Sequence, residues 1–437
     1  MQLFVYTPGH STRVEYIFSI LLSSVGVSSY SITFDKTAFE NSKDVKINYS
    51  KRRITEDEFW IKPVDLLFEK EIKAQAIECF EWYGTKAFFK TPESDFPFDI
   101  FAASFYLISR YEEYLPHKLD IYGRFAHENS LAFNEGFLKL PLINIWLQQF
   151  TKELLKKFPS LHLSPPTFHF LPTYDIDIAW SYRNKGLSRN AGGLLRSMME
   201  GEWSKVSERI NVLFGNQKDP FESYQWLHEL HKEYALQPLY FFLLAQENKD
   251  YDKNILPHKK SLQKLIQEHA STCAIGIHPS WQSGDRKELL RQEIEILEKI
   301  TGVRTVKSRQ HYIRMSLPDT YRRLIEAGIA EDYSMGYGSI NGFRASYCLP
   351  YRWYDLEKEE PAPLTIYPFC YMDANSYYEQ HYSAEEAVTE MEHYYRITRE
   401  VNGLLIMIWH NHFLGNDRMF EGWRDAYRTT IERIFSD

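Results

Sequence analysis

The sequence predicts an α/β protein that consists of a parallel (β/α) barrel and a smaller N-terminal α/β domain. The first observation is that about seven strand-like runs alternate with helical runs over the last ~270 residues. The second is a proline- and serine-rich break at residues 158–166, which follows an amphipathic run over 142–155. We therefore divide the chain into an N-terminal domain, 1–160, and a barrel domain, 167–437. An open, doubly wound sheet is the alternative that the pattern leaves open.

The predicted barrel strands mostly lack polar alternation, which is typical of strands buried on both faces. Helical periodicity lies between many of them, as a parallel sheet requires. The strands are expected at 168–174, 239–244, 273–278, 305–311, 329–333, 364–371 and 404–409. The helices are expected at 221–234, 260–269, 287–300, 320–327, 384–400 and 420–435.

The N-terminal domain is expected to begin with a strand at 3–6, followed by a helix that Ser11 or Thr12 caps and that runs to about Ser24. A second helix is predicted over 98–114. Charged residues at its end, Arg110, Glu112 and Glu113, indicate either a solvated or ion-paired terminus or a contact with the second domain or a ligand.

Composition excludes some functional classes. The 437 residues carry a formal net charge of −8, which gives no support to nucleic acid as the main partner. The four cysteines are widely spaced and predict reduced thiols. We find neither a signal peptide pattern nor an apolar run long enough to span a bilayer, so we expect a cytoplasmic protein that does not insert into membranes. The sequence leaves the oligomeric state open.

Ionisable side chains follow the predicted strands at their carboxyl ends, where parallel barrels place their active sites. The first strand runs into Asp175 and Asp177, and the third runs into His278. His410 and His412 follow the last strand, on the same face of an extended segment. The other strand ends carry Arg309, His311, Asp332 and Asp373.

Histidine and carboxylate ligands together suit zinc or a similar divalent ion. One of the paired aspartates can bind the ion while the other acts as a general base, and a histidine can serve as the acid. These groups fit the hydrolysis of an amide or ester. The sequence contains no GxSxG elbow, Walker A loop, HExxH motif or GxGxxG helix start, so no organic cofactor is expected.

The order of these motifs resembles that of the polysaccharide deacetylases, the carbohydrate esterases of the fourth family, whose fold is a distorted (β/α)7-type barrel. Their motifs T-[FY]-D-D-G, H-[ST]-x-x-H, R-x-P-[FY] and Leu-x-His correspond to segments 173–177, 278–282, 309–312 and 408–410. The N-terminal segments 105–114 and 123–125 resemble an uncharacterised domain that precedes such barrels in Bacteroidetes-type proteins.

The resemblance implies a metal-dependent hydrolase that removes acetyl groups from an N- or O-acetylated sugar, with a divalent ion, expected to be zinc. Asp175 would be the base and His410 the acid. Ile176 and Gln282 stand where the family has metal ligands, so Asp177 and His311 are expected to complete the site with His278. The predicted substrate-binding residues lie beside the motifs: Arg309, Arg344, Asp373, Trp281 and Trp409.

Two other functions remain open at this stage. A carbohydrate-binding or scaffold protein that keeps the barrel without the metal would explain Ile176 and Gln282. A glycoside hydrolase would pair Asp175 or Asp177 with Asp332 or Asp373, at a carboxylate separation of about 5 Å or ~6.5–9.5 Å.

Overall fold

The computed structural model describes residues 2–436 and shows a mixed α/β fold with two parallel sheets. Among these residues, the N-terminal region contains a four-stranded parallel sheet in the order β2-β1-β3-β4, and a separate hairpin, β5-β6. Its strands are β1 Leu3–Tyr6, β2 Tyr30–Thr33, β3 Val45–Tyr49, β4 Glu58–Ile61, β5 Phe80–Trp82 and β6 Thr85–Ala87. Its helices are α1 Thr12–Ser24, α2 Lys36–Asn41, α3 Ile100–Ile108, α4 Leu131–Asn134 and α5 Leu142–Lys157.

Local sequence explains the ends of these helices. The Ser11 hydroxyl accepts a hydrogen bond from the backbone N–H of Val14, which confirms Ser11 as the N-cap of α1. Asp99 caps α3 in the same way, through the N–H of Ala102. The helix predicted over 98–114 is shorter than expected: α3 ends at Ile108 and a separate 3₁₀ turn covers Tyr111–Tyr114.

The second sheet positions the candidate site. In the described part of the chain it contains nine strands in the order β12-β13-β11-β10-β9-β8-β7-β15-β14, all parallel except the pair β12 and β13. The strands are β7 His169–Ile176, β8 Leu239–Leu243, β9 Ala274–His278, β10 Lys307–Ser308, β11 Glu331–Asp332, β12 Tyr351–Asp355, β13 Glu360–Ile366, β14 Tyr371–Met372 and β15 Leu404–His410. The helices are α6 Leu187–Met199, α7 Trp203–Leu213, α8 Tyr224–Glu233, α9 Lys260–Ala270, α10 Lys287–Thr301, α11 Asp319–Glu326, α12 Ala384–Glu400 and α13 Trp423–Ser436.

Two predicted strands differ from the structure. The strand expected at 305–311 is only β10, because the backbone leaves the ladder after Ser308 and turns into a 3₁₀ segment at His311–Ile313. The strand expected at 364–371 divides into β13 and β14 around Pro368, which has no N–H to donate to a ladder. Strand β12 was not expected.

The segment between β13 and β14 joins opposite ends of the strand order. Strand β13 pairs with β11, whereas β14 pairs with β15, and residues 367–370 connect them. The α/β class is therefore confirmed, while the (β/α)7 barrel remains a prediction.

Across residues 2–436 the structure contains no helix with the length and apolar character to cross a membrane.

Candidate active site

The parallel strands β7, β9 and β15 bring most of the candidate residues to one edge of the sheet. In the ladder between β7 and β15, Asp175 pairs with His410, and in the ladder between β8 and β9, Leu243 pairs with His278. Because carboxyl ends of parallel strands lie together, residues far apart in the sequence line one cavity of ≈ 540 Å³. The cavity is lined by Asp175, Asp177, His278, His311, His410 and His412, among others.

Asp177, His278 and His311 form a cluster that fits one metal ion. One ligand atom from each lies within 4.8 Å of the others. The Nε2 atom of His278 is 3.2 Å from Oδ1 of Asp177, and that of His311 is 3.6 Å from Oδ2. Two imidazole nitrogens and one carboxylate oxygen form a donor set that is typical of zinc sites.

In each histidine ring, a hydrogen bond at Nδ1 determines that Nε2 faces the cluster. Nδ1 of His278 lies 2.6 Å from the carbonyl oxygen of Arg309, and Nδ1 of His311 lies 3.0 Å from Asp252. A carbonyl and a carboxylate only accept hydrogen bonds, so both Nδ1 atoms donate, and Nε2 of each ring faces Asp177, without a proton when the ring is neutral.

The aspartate in the cluster lacks a donor of its own. Oδ1 of Asp177 is buried and has no hydrogen-bond partner, although an imidazole nitrogen lies 3.2 Å away. Two lone pairs that face each other in a buried site require a cation between them or a proton on one of them. The residues present therefore fit a divalent ion.

The charges in the cluster are strongly coupled. Burial raises the pKa of Asp177, but the neighbouring imidazoles, the charge of His311 first, outweigh it and hold the pKa well below its usual value. Burial lowers the pKa of His311, but Asp177 and Asp252 outweigh that effect and raise it to about 9. Without an ion, the cluster is thus an Asp177 carboxylate beside a protonated His311.

Asp175 lies next to the cluster and is held by an arginine. Nη1 of Arg309 donates to Oδ1 of Asp175 at 2.8 Å, and the second carboxylate oxygen is 3.8 Å from Nε2 of His278. The Nε–H of Arg309 donates to the carbonyl of Tyr333 at 3.0 Å, which fixes the guanidinium. Asp175 keeps a fixed orientation toward the cluster.

His410 is oriented by Asp373. Nδ1 of His410 lies 2.6 Å from Asp373, whose second oxygen accepts from the backbone N–H of His410 at 2.7 Å. Burial lowers the pKa of His410, but the charge and hydrogen bond of Asp373 outweigh it and raise the pKa to about 10. Nε2 of His410 is 3.6 Å from Asp177. His412 also lines the cavity, and burial and the charge of His410 lower its pKa to about 3.

Four residues predicted to bind substrate have other contacts in the structure. Arg309 binds Asp175, and Asp373 binds His410, so both position neighbouring side chains instead of lining the cavity. Arg344 is buried and forms two hydrogen bonds with Glu113. Trp409 is fully buried against Trp423 and Tyr427, because it pairs with Tyr174 in the ladder and shares that residue's outward face.

Of the predicted substrate-binding residues, Trp281 has the contacts closest to that role. It is half-buried and packs against Tyr122, Tyr251 and Tyr312, all of which line the cavity. Of the two acids considered as partners in a glycosidase pair, Asp332 binds Ser308 and Ser334 outside the cavity lining, and Asp373 binds His410.

Sequence reasoning missed Asp252, Tyr122, Arg124 and Tyr251. All four lie in irregular segments, between β8 and α9 or between α3 and α4, where no periodicity marks a residue. The one usable signal was position, since Asp252 and Tyr251 follow a strand whose carboxyl end carried no candidate.

Comparison with known proteins gives a family match in the N-terminal region. Residues 3–159 match a family of unknown function, DUF7033. A search of the curated proteins finds no match.

Solved structures resemble the chain at low identity. A polysaccharide deacetylase of Mycobacterium smegmatis, described as putative, has 15% identity and a TM-score of 0.40, covering 63% of this chain and 87% of its own. A probable polysaccharide deacetylase of Pseudomonas aeruginosa has 13% identity and a TM-score of 0.38, covering 62% and 85%. A GH57 branching enzyme of Thermococcus kodakaraensis has 10% identity and a TM-score of 0.35, covering 62% and 68%.

Proposed function

We propose that the protein is a metal-dependent hydrolase that removes acetyl groups from an N- or O-acetylated sugar. One observation carries the proposal: Asp177, His278 and His311 converge within 4.8 Å, in a cavity that Asp175 and His410 also line. The motif order that resembles the polysaccharide deacetylases assigns roles to three of these residues, Asp175 as base, His278 as metal ligand and His410 as acid. Asp177 and His311 do not occupy ligand positions of those motifs and are expected to replace the ligands missing at Ile176 and Gln282.

A divalent ion bound by Asp177, His278 and His311 would supply Lewis-acid polarisation of the acyl carbonyl. Asp175 accepts the proton of the attacking water, and Arg309 holds the carboxylate in place for that transfer. His410 donates a proton to the leaving nitrogen or oxygen, with Asp373 fixing the ring through Nδ1 so that Nε2 faces the reaction.

The two departures from the family motif are compatible with this chemistry. Gln282, which stands in the position of a metal histidine, turns its Nε2 to Asp252 at 3.2 Å and to the carbonyl of Glu247 at 3.3 Å. His311 and Asp177 instead supply the missing donors. The same Asp252 that binds Gln282 also binds His311, so one carboxylate supports the altered ligand set.

The test is acetate release from a panel of N- and O-acetylated oligosaccharides by protein purified without added metal, together with its metal content. We expect about one divalent ion per chain and acetate release that is lost in Asp175→Asn and His278→Ala. Only His278→Ala should also lose the ion. His393→Ala, at an exposed histidine of α12, is the matched control.

A protein that holds no ion and releases no acetate from any substrate of the panel contradicts the proposal. Retained glycan binding in that protein, insensitive to chelator, would favour a carbohydrate-binding protein instead.

A further inference from the structure

A turn of the N-terminal region reaches the cavity of the second region. Leu119 and Phe125 form an antiparallel bridge, and between them the carboxylate of Asp120 accepts hydrogen bonds from the backbone N–H groups of Tyr122 and Arg124, both at 2.9 Å. This turn, 119–125, places the side chains of Tyr122 and Arg124 in the cavity lining, together with the candidate metal ligands.

Arg124 fastens the turn to the segment that carries His311. Its Nε donates to Asp120 at 2.6 Å, and its Nη1 donates to the carbonyl oxygen of Tyr312 at 2.6 Å. The guanidinium fits closely beside Gly338, where an added Cβ would lie 2.0 Å from Nη1. The side chain is buried, so this contact is part of the packed structure.

The residue that Arg124 holds has an unfavourable backbone conformation. Tyr312 has φ 59° and ψ 12°, and Ile313 also has a positive φ of 53°. Non-glycine residues adopt this left-handed region only when their surroundings hold them there, and such residues cluster at ligand sites. The hydrogen bond from Arg124 is one of those surroundings, and the ring of Tyr312 contacts His311 at a centroid distance of 4.7 Å.

Four aromatic rings from both regions then form one wall beside the candidate metal centre. Ring centroids lie 5.3 Å apart for Tyr122 and Tyr312, 5.0 Å for Tyr251 and Tyr312, and 4.3 Å for Tyr251 and Trp281. Tyr251 and Tyr312 are 39% and 36% exposed, so their rings are accessible to a ligand in the cavity. Guanidinium groups of Arg124 and Arg314 pack against Tyr122 and Trp281 at 4.7 and 4.4 Å and restrain them.

We propose that this aromatic wall is a binding subsite for an oligosaccharide and that the N-terminal region completes it through Tyr122, with Arg124 as a positioning residue. The inference rests on the proposed function for the class of ligand, since it assigns to the wall the sugar units next to the one that is deacetylated. Exposed rings with polar edges bind the apolar face of a pyranose while their hydroxyl groups reach its oxygens. The wall adjoins the metal ligands through Tyr312, so a sugar bound on it lies beside the reacting unit.

The experiment measures binding separately from catalysis. Titrations of full-length protein in chelator, by calorimetry and tryptophan fluorescence, use tetramers of N-acetylglucosamine and of acetylated xylose as probes. We expect Tyr122→Ala to weaken tetramer binding at least tenfold and Tyr122→Phe to retain most of it. Tyr83→Ala, at a tyrosine of the N-terminal region that is 70% exposed and outside the cavity lining, should bind as the wild type does.

Arg124 requires a second comparison because its loss could act on folding alone. We expect Arg124→Ala to weaken tetramer binding as well. Arg124→Lys should bind more tightly than Arg124→Ala, and its melting temperature should equal that of the wild type. The inference is overturned if the wild type binds neither tetramer, or if Tyr122→Ala binds as tightly as the wild type. Tyr122-dependent binding without acetate release supports the subsite and contradicts only the proposed catalysis.

Discussion

His311 faces the candidate metal centre because Asp252 occupies its other ring nitrogen. Asp252 is itself fixed by the backbone N–H groups of Trp281 and Gln282, at 2.9 and 3.3 Å. Burial raises the pKa of Asp252, but the hydrogen bond of His311 outweighs it and lowers the pKa. The carboxylate therefore stays charged as an acceptor and holds the Nδ1–H tautomer.

The sequence indicated His311 but not its partner, for a physical reason. A histidine after a strand has a position that topology constrains, whereas Asp252 lies in the irregular segment between β8 and α9. Its distance from His311 depends on how that segment folds back, and no periodicity encodes such a path.

Asp252→Asn should weaken zinc binding by about 10- to 100-fold, because an amide orients the ring less strongly and does not raise the basicity of Nε2. Competition with a chromogenic chelator measures the affinity. Asp99→Asn is the matched control, since Asp99 is also fully buried and also accepts backbone N–H bonds, but caps α3. Equal zinc affinity in Asp252→Asn and the wild type would contradict the role.

Strand register decides which neighbours of the motifs can reach the cavity. In the ladder of β7 and β15, His410 pairs with Asp175 and Trp409 pairs with Tyr174. Successive side chains of a strand point to opposite faces, so the first pair faces the cavity and the second packs against α13. The sequence could place His410 by alternation, and the same rule excludes Trp409 from the cavity. His412 lies in the turn after β15 and not in the expected extended segment, so alternation does not explain why it also lines the cavity.

Close approach of strands sets a stricter condition at Gly276. An added Cβ would lie 2.6 Å from the ring of Phe241 and 2.8 Å from the carbonyl oxygen of Lys307, so β8, β9 and β10 meet there without room for a side chain. Strand β10 leads to Arg309 and His311, which makes this contact relevant to the site.

Gly276→Ala should therefore destabilise the protein by about 1–3 kcal/mol, since the backbone of β10 has to move to admit the methyl group. Denaturant unfolding followed by far-UV circular dichroism measures the change. Gly192→Ala is the control: its Cβ meets nothing within 4 Å, and in α6 the substitution should stabilise by roughly 0.5–1 kcal/mol. A neutral Gly276→Ala would show that the strands have more space than this packing allows.

The two regions of the chain are joined by a buried network of charges. Glu113 accepts hydrogen bonds from Arg344 at 2.8 and 2.6 Å, and its Oε1 atom also accepts one from Arg110 at 2.7 Å. Arg110 also donates to the carbonyl oxygen of Arg344. The charged end of the predicted 98–114 helix is thus both ion-paired and in contact with the second region, so it combines the two alternatives that the sequence left open. Sequence alone could not choose, because the partner Arg344 lies far along the chain.

This network matters to the candidate site because the same region carries turn 119–125. Glu112, the other acid of the cluster, accepts from the backbone N–H of Leu131 at 2.9 Å, at the start of α4. Before the turn, Glu113 binds Arg344 of the second region, and after the turn, Leu131 is bound back to Glu112, so both ends of the segment that carries Tyr122 are tied to this network.

Glu113→Gln should destabilise the protein by about 3 kcal/mol at pH 7, because it removes the carboxylate that pairs with the buried guanidinium of Arg344 and one of the two that pair with Arg110, Glu112 being the other. Burial raises the pKa of Glu113, but Arg344 and Arg110 outweigh it and hold the pKa at about 2, below the ~4.3 of an unfolded glutamate. A depressed carboxyl pKa adds stability that is complete above ~4.3 and is lost as the pH falls through about 2. We would measure the urea midpoints of the wild type and of Glu113→Gln between pH 7 and pH 3, and the two midpoints should converge as the pH falls below ~4.3. The control is Glu153→Gln, at an exposed ion pair in α5, whose midpoint should follow that of the wild type throughout. A gap that stays constant with pH would mean that the charge of Glu113 does not stabilise the contact.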